Sequence, residues 1–204
     1  MQIILGSQSP RRKDILHLLI NNFSIKIPDI DESITTSELP EKFCNRIACE
    51  KNENILTQVS DEDKQSALII SSDTIVAIDN KILGKPKDYN EAVSMIQLLS
   101  NKKHSVISSI ALTCHKKNKI KQNVDFETTY VYFKNLTKNI ISDYLNKIKY
   151  DDKAGSYAIQ EHGNMIIHKI EGSLSNVIGF PVRLFLKMCN DMGIVDNIWG
   201  LKKK

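Results

Sequence analysis

The stretch Ala67-Leu68-Ile69-Ile70-Ser71-Ser72-Asp73-Thr74-Ile75-Val76-Ala77-Ile78 decides how the chain is read. It is strongly apolar and is broken only by Ser71-Ser72-Asp73-Thr74. Ile and Val favour the pleated, half-buried surface of a sheet, whereas Asp is depleted there. A strand that keeps Asp73 in its middle must meet the cost of enclosing a carboxylate by pairing it or giving it to a metal. Asp73 is therefore a candidate general base or metal ligand. The plainer alternative is a hydrogen-bonded Asp at a bulge. Asp79-Asn80-Lys81 follows as a tight turn, and Ile82-Leu83 starts the returning strand.

Outward from this strand, elements of both kinds alternate. Gln2–Leu5 is a short apolar strand that ends in Gly6-Ser7-Gln8-Ser9-Pro10. Arg11–Ile20 carries helical apolar spacing, with Ser9 placed to cap it and Pro10 in its first turn. Phe23–Ile27 alternates as a second strand, and Asp29–Ser37 is an acidic, polar loop. Leu39–Val59 and Asn90–Leu99 show apolar faces at helical period. His104–Cys114 and Val124–Phe133 are long strands joined by a basic turn around Lys116–Lys119, and the second has the clearest period of two in the chain. A helix over Thr137–Ile148 capped by Thr137, a strand over Met165–Ile170 and a helix over Pro181–Met192 complete the pattern. This reads as a mixed-sheet α/β protein, elongated, with two lobes around a cleft. It is expected to form one domain over 1–204, with Lys202–Lys204 a solvated tail.

The 204 residues carry 28 Lys and Arg against 24 Asp and Glu. Only four of those cations are arginine: Arg11, Arg12, Arg46 and Arg183. In so Lys-rich a chain, a retained Arg is a candidate for a site that needs a planar fork. Arg11 and Arg12 fall at a helix start, where cations oppose the dipole. A bound anion would relieve that conflict. The alternative is an ordinary capped helix with solvated arginines. Hydrophobic residues make up 41% and charged residues 25%, which excludes disordered and collagen-like classes. No apolar run approaches the ~20 residues of a membrane span. Met1–Leu5 lacks the order of a signal peptide. Cys44, Cys49, Cys114 and Cys189 show no C-x-x-C spacing and read as reduced thiols of a cytoplasmic protein.

Three further clusters qualify for chemistry. Gly84-Lys85-Pro86 offers close backbone approach and a point cation for phosphate. Asp152-Lys153-Ala154-Gly155-Ser156-Tyr157-Ala158-Ile159-Gln160 is loop-like and ends in an amide suited to a base edge or ribose, or else is a surface turn. Glu171-Gly172-Ser173-Leu174-Ser175-Asn176-Val177-Ile178-Gly179-Phe180-Pro181 is a hydroxyl- and glycine-rich loop before a helix. The sequence contains no P-loop, no G-x-G-x-x-G, no G-x-S-x-G and no H-E-x-x-H. Cys114-His115 has no partner pair at zinc spacing.

Ser7-Gln8-Ser9-Pro10-Arg11-Arg12, Ser72-Asp73-Thr74, Gly84-Lys85-Pro86 and Asp152-Lys153-Ala154-Gly155 leading to Ile159-Gln160, in this order, resemble the Maf family of nucleoside triphosphate pyrophosphatases. The resemblance spans about Ile3 to Met192. The closing Gly172–Pro181 segment looks like the branch acting on dTTP and UTP, as against the sister branch acting on 7-methyl-GTP. It implies the Maf/inosine-triphosphatase-like fold and hydrolysis between the α- and β-phosphates with a divalent cation, Mg²⁺ or Mn²⁺. By the resemblance, Asp73 matches the proton acceptor, and Arg11, Thr74 and Gln160 match positions that set base specificity. Ser7, Arg12, Lys51 and Lys85 match the polar shell around the triphosphate, and Glu32 matches an acidic residue near the metal. Asp73 and Glu32 are the expected metal ligands. The chain departs from the family at Gly6 and Asn52, where alanine is usual, and at Glu161, where the dTTP/UTP branch has glycine. The resemblance also implies a homodimer and a link to arrest of septum formation. Neither a membrane nor a nucleic-acid partner is expected, since no basic face with interleaved aromatics is visible. The rival readings are a 7-methyl-GTP pyrophosphatase, a non-catalytic nucleotide- or nucleic-acid-binding regulator and an inosine-triphosphate-type hydrolase.

Overall fold

In the computed structural model, residues 1–34, 38–116 and 119–199 are described. Thr35–Ser37 of the acidic loop, the centre of the basic turn and the Lys202–Lys204 tail lie outside them. The strands are β1 (Gln2–Gly6), β2 (Ser24–Lys26), β3 (Ala67–Ile78), β4 (Lys81–Leu83), β5 (Lys103–Lys116), β6 (Lys119–Phe133) and β7 (Ile167–Glu171). The helices are α1 (Pro10–His17), α2 (Pro40–Thr57), α3 (Asp61–Lys64), α4 (Tyr89–Leu99), α5 (Lys138–Leu145), α6 (Leu174–Ile178), α7 (Val182–Met192) and α8 (Val195–Trp199).

The strands form one mixed sheet in the order β2-β1-β3-β5-β6-β7, with β4 also on β3. β1 runs parallel to β2 and β3, and the remaining pairs are antiparallel. β3 runs through Asp73 without a bulge, with Ser72, Asp73 and Thr74 opposite Ile110, Ser109 and Ser108. On its other side, β1 pairs with β3 only as far as Ser71, and β4 pairs only from Val76. Ser72–Ile75 thus have no neighbouring strand on that side, and the open stretch holds Asp73.

Alternation along β3 sends its residues to two faces. On one face, Phe43, Cys44, Ile47 and Ile55 of α2 cover Ile4, Ala67, Ile69, Ile75 and Ala77. On the other face there are two separate cores. Leu68 and Ile70 pack with Leu16, Phe180, Phe185 and Met188. Val76 and Ile78 pack with Ile96, Leu99, Val131, Tyr144 and Tyr157. Each fully buried aliphatic or aromatic side chain contributes about 1.5–3 kcal/mol, so both ends of the sheet are firmly covered. Ser72 and Thr74 lie between the two cores, and this is the cleft between lobes.

Several local expectations change. Ser9 occupies the N-cap of α1, but its side chain makes no capping bond. Its N–H donates instead to Ser7 Oγ at 3.2 Å. α1 ends at His17, not Ile20, and α5 ends at Leu145, not Ile148. In β2 the alternating Ile25 and the following Ile27 are 42% and 58% exposed, at the edge of the sheet. The closing loop before Pro181 contains α6, capped by Ser173 Oγ accepting from Asn176 N. Pro181 is the N-cap of α7 and not its first turn. The two short helices α3 and α8 were not expected from apolar spacing. α8 closes over the end of α1, where Trp199 Nε1 donates to Leu19 O at 2.7 Å.

Candidate active site

A cavity of about 730 Å³ opens along the unpaired stretch of β3. It is lined by all nine residues singled out in the sequence: Ser7, Arg11, Arg12, Glu32, Lys51, Asp73, Thr74, Lys85 and Gln160. They converge from separate elements. β1 delivers Ser7 at its carboxyl end, and Pro10 at the start of α1 sets Arg11 and Arg12 in the first turn. β4 delivers Gly84 and Lys85. Gly155 N donates to Gly84 O at 3.0 Å and ties the Asp152–Ser156 turn beside it. Gly155 has φ +66°, and a Cβ there would sit 3.0 Å from Val76 Cγ2. Only glycine brings this turn so close to β3.

Neighbouring residues of β3 face opposite ways and bind different cations. Thr74 faces α1 and α6. Arg12 Nη2 donates to Thr74 Oγ1 at 3.1 Å, Nη1 to Ser7 Oγ at 3.2 Å and Nε to Gly179 O at 3.0 Å. All three acceptors are neutral. Withdrawal from water lowers the pKa of Arg12, and the fields of Asp73 and Glu32 oppose that shift. A half-buried guanidinium with no carboxylate bound to it among the described residues favours an anion nearby. Thr74 Oγ1 also lies 2.9 Å from Ser108 Oγ, and Ser108 Oγ donates to Asn176 O at 3.0 Å.

Asp73 faces α2. Lys51 Nζ donates to Asp73 Oδ1 at 2.8 Å and lies 2.9 Å from Glu32 Oε1. On the far side, the Cys44 thiol lies 3.9 Å from Asp73 Oδ2 and 3.5 Å from Ile107 O. Burial, then the charge of Asp73, holds that thiol well above the usual cysteine range.

Arg11 turns away from this centre. Its Nη1 meets Asp152 Oδ2 at 3.1 Å and its Nη2 meets Asp152 O at 3.4 Å. Lys153 Nζ reaches Asp152 Oδ1 at 2.9 Å, Glu161 Oε1 at 3.4 Å and the carbonyl of Lys149. Partial burial pushes the Asp152 carboxyl up. The bonds from Lys153 and the charge and bond of Arg11 outweigh it, and the net direction is down. Asp152 and Lys153 line the cavity but carry no separate role in the sequence reading. Their signal was the run Asp152–Gly155 next to Gln160. Cys44 and Ser108 gave no local signal, and Asn176 was marked only as part of the hydroxyl- and glycine-rich Glu171–Pro181 segment. Lys85 and Gln160 are exposed and have no hydrogen-bond partner among the described residues.

The departures from the family pattern have physical consequences. At Gly6 a Cβ would lie 2.6 Å from Ser71 Oγ and 2.8 Å from Ile55 Cγ1, so β1 packs here without a side chain. Asn52 is buried and donates to Ile69 O and Ala111 O at 3.2 and 2.9 Å. Glu161 is the second carboxylate on Lys153.

Mg²⁺ and Mn²⁺ take oxygen ligands and commonly keep only one or two protein carboxylates, completing their shell with water and phosphate. Asp73 and Glu32 supply such oxygens to one cavity. Among the described residues no group of three His, Cys, Asp or Glu could close a metal cage. The donor set fits a hard dication that brings phosphate oxygens with it.

An open mixed sheet, a cleft at the carboxyl end of a parallel strand, and a cavity lined by both cations and carboxylates define an α/β protein with a candidate ligand site at a topological switch point. The Maf-like protein family profile matches residues 2–192, and the chain belongs to the Maf family. It is 38% identical over 195 residues to a protein of Caldanaerobacter subterraneus subsp. tengcongensis, covering 95% of this chain and 91% of that one. It is 37% identical over 198 residues to one of Thermosipho africanus, covering 96% of each chain. It is 38% identical over 199 residues to one of Clostridium acetobutylicum, covering 95% and 99%. Each of these relatives is named dTTP/UTP pyrophosphatase.

Proposed function

We propose that this chain is a nucleoside triphosphate pyrophosphatase that hydrolyses dTTP and UTP to the monophosphate and pyrophosphate. The observation that carries this reading is Arg12, held by three neutral oxygens at the mouth of α1 and facing a cavity with Lys51, Lys85 and Asp73. A polyphosphate supplies the anion that Arg12 lacks. The names of the relatives support the substrate pair.

Within this reading, Arg12, Lys51 and Lys85 take up charge on the phosphate chain. Asp73, fixed in mid-strand, accepts the proton of the attacking water as general base. Asp73 and Glu32 would hold Mg²⁺ or Mn²⁺, which supplies charge neutralisation on phosphate oxygens. Arg11, held by Asp152, and the exposed amide of Gln160 line the same cavity and would read a nucleobase together with Thr74. All four cysteines are free thiols, which supports a cytoplasmic protein. No helix among the described residues is long and apolar enough to cross a membrane. Nucleotide-pool clearance, the link to septum formation and a homodimer, checked by light scattering, belong to the same proposal.

The test is a panel of dTTP, UTP, CTP, inosine triphosphate and 7-methyl-GTP with pyrophosphate detection, with and without Mg²⁺. Metal-dependent pyrophosphate release from dTTP and UTP is expected. A preference for 7-methyl-GTP or inosine triphosphate overturns the substrate reading. Nucleotide binding without release overturns the enzyme reading.

A further inference from the structure

The Lys51 ammonium occupies the point where Asp73 and Glu32, two of the four acidic residues lining the cavity, converge. It lies 2.8 Å from Asp73 Oδ1 and 2.9 Å from Glu32 Oε1. Lys51 and Asp73 are each only 6% exposed. Their partner Glu32 is far more open, its side chain 49% exposed. Lys51 rises from the middle of α2, whose Ile47 and Ile55 are fully buried against the sheet, so its backbone is anchored. Four flexible carbons carry the charge.

A buried carboxylate that loses its hydrogen-bonded cation is strongly disfavoured, so Asp73 keeps Lys51 until another cation arrives. A divalent ion seeks the same oxygens. The far oxygen, Asp73 Oδ2, is taken up by the Cys44 thiol, whose sulfur lies 3.9 Å away. The ion and the ammonium therefore compete for Asp73 Oδ1 and Glu32 Oε1. Lys51 yields them at low cost only when it receives another anion, and a phosphate chain entering the cavity is that anion.

We infer that Lys51 is an exchangeable counter-ion that orders the loading of the site. In the free protein it fills the place of the divalent ion between Asp73 and Glu32. It passes from the carboxylates to phosphate oxygens when the nucleotide enters, and the carboxylates become available to the ion only then. This rests on the functional reading above, but it is a statement about metal binding and is read without turnover.

The experiment titrates Mn²⁺ into the full chain without nucleotide and follows free Mn²⁺ by its electron paramagnetic resonance signal. Lys51→Met removes the charge and keeps an apolar stem. Binding by the wild type is expected to be weak, and the Lys51→Met variant is expected to bind one Mn²⁺ about tenfold more tightly or better, as loss of one nearby like charge implies. Adding Asp73→Asn to that variant abolishes the gain. Mn²⁺ also raises the melting temperature of Lys51→Met and leaves that of the wild type unchanged. If circular dichroism shows Lys51→Met unfolded, Lys51→Gln takes its place. Equal affinity in wild type and variant overturns the inference, as does tight uptake of one Mn²⁺ by the free wild type, which needs no variant. A chain that releases no pyrophosphate from any nucleotide sinks the functional reading and leaves these titrations to be judged on their own.

Discussion

At the residue scale, a carboxylate survives in mid-strand at position 73 because a buried ammonium meets one of its oxygens at 2.8 Å and a thiol lies near the other. The isosteric Asp73→Asn keeps the shape and removes the proton acceptor. Pyrophosphate release is expected to fall about 10²–10⁴-fold with an unchanged circular dichroism spectrum, and retained release would show that Asp73 is not the base. That a strand Asp was a candidate for chemistry was legible in the sequence, since Asp is depleted among Ile and Val, and the unbroken register through Asp73 removes the bulge alternative. Its partner was not, because Lys51 lies on another element. The four arginines divide in a way the sequence suggested only for two of them. Arg12 and Arg11 reach the cavity. Arg46 braces Glu38 at 2.9 Å and Glu50 at 3.1 Å and covers the Phe43 ring, and Arg183 pairs with Glu127 at 3.2 Å. A fork is equally useful to structure and to phosphate, so scarcity of arginine alone does not separate the two.

At the element scale, the site exists because β1 stops at Ser71 of β3 and β4 starts at Val76. Four residues of the central strand are left facing a cleft and not a neighbour. The short helix α6 then closes the upper side. It is too brief to stand alone, and it is held by buried Asn176, whose Nδ2 donates to Val106 O at 3.1 Å and Thr129 Oγ1 at 2.9 Å. Gly179, just after α6, presents its carbonyl to Arg12. Asn176→Ala is expected to cost about 1–3 kcal/mol, read by urea denaturation. It should also raise KM for the nucleotide more than it lowers kcat, because Arg12 loses its frame. Unchanged stability would mean that α6 is held by its apolar contacts alone.

At the scale of the whole molecule, two cores on one face of the sheet leave a gap between them, while α2 packs on β1, β3 and β5 across the other face. His104 belongs to the core at the β4 end. Its Nε2 lies 2.8 Å from the Tyr157 hydroxyl, and burial pushes its pKa down to about 3. The unfolded chain, with an ordinary histidine near 6.5, binds this proton more readily than the folded one. Stability therefore rises with pH across that window and is lost on acidification from about 6.5 toward 3, by at most about 1.4 kcal/mol per pH unit. His104→Gln keeps a polar atom near Tyr157 and cannot titrate. Its melting temperature should fall less than that of the wild type between pH 7 and pH 4.5. Parallel curves would assign the acid sensitivity to other groups.

The chain by itself determined its alternating elements, the central strand with Asp73 and the six-residue run from Ser7 to Arg12, because period, caps and misplaced charges act within a few residues of each other. It also carried enough motif for the Maf family to be legible before any coordinate. Only the tertiary structure decided which cation meets which acid. Arg11 goes to Asp152 and Arg12 to neutral oxygens, Lys51 bridges Glu32 and Asp73, and Lys153 takes Asp152 and Glu161. It also turned the serine-rich loop after Gly172 into α6, and it left the Ile25 and Ile27 side chains exposed. The physical reason is the same in each case. Electrostatic pairing and burial depend on distances through space, and strands far apart in sequence set those distances when they pair in one sheet.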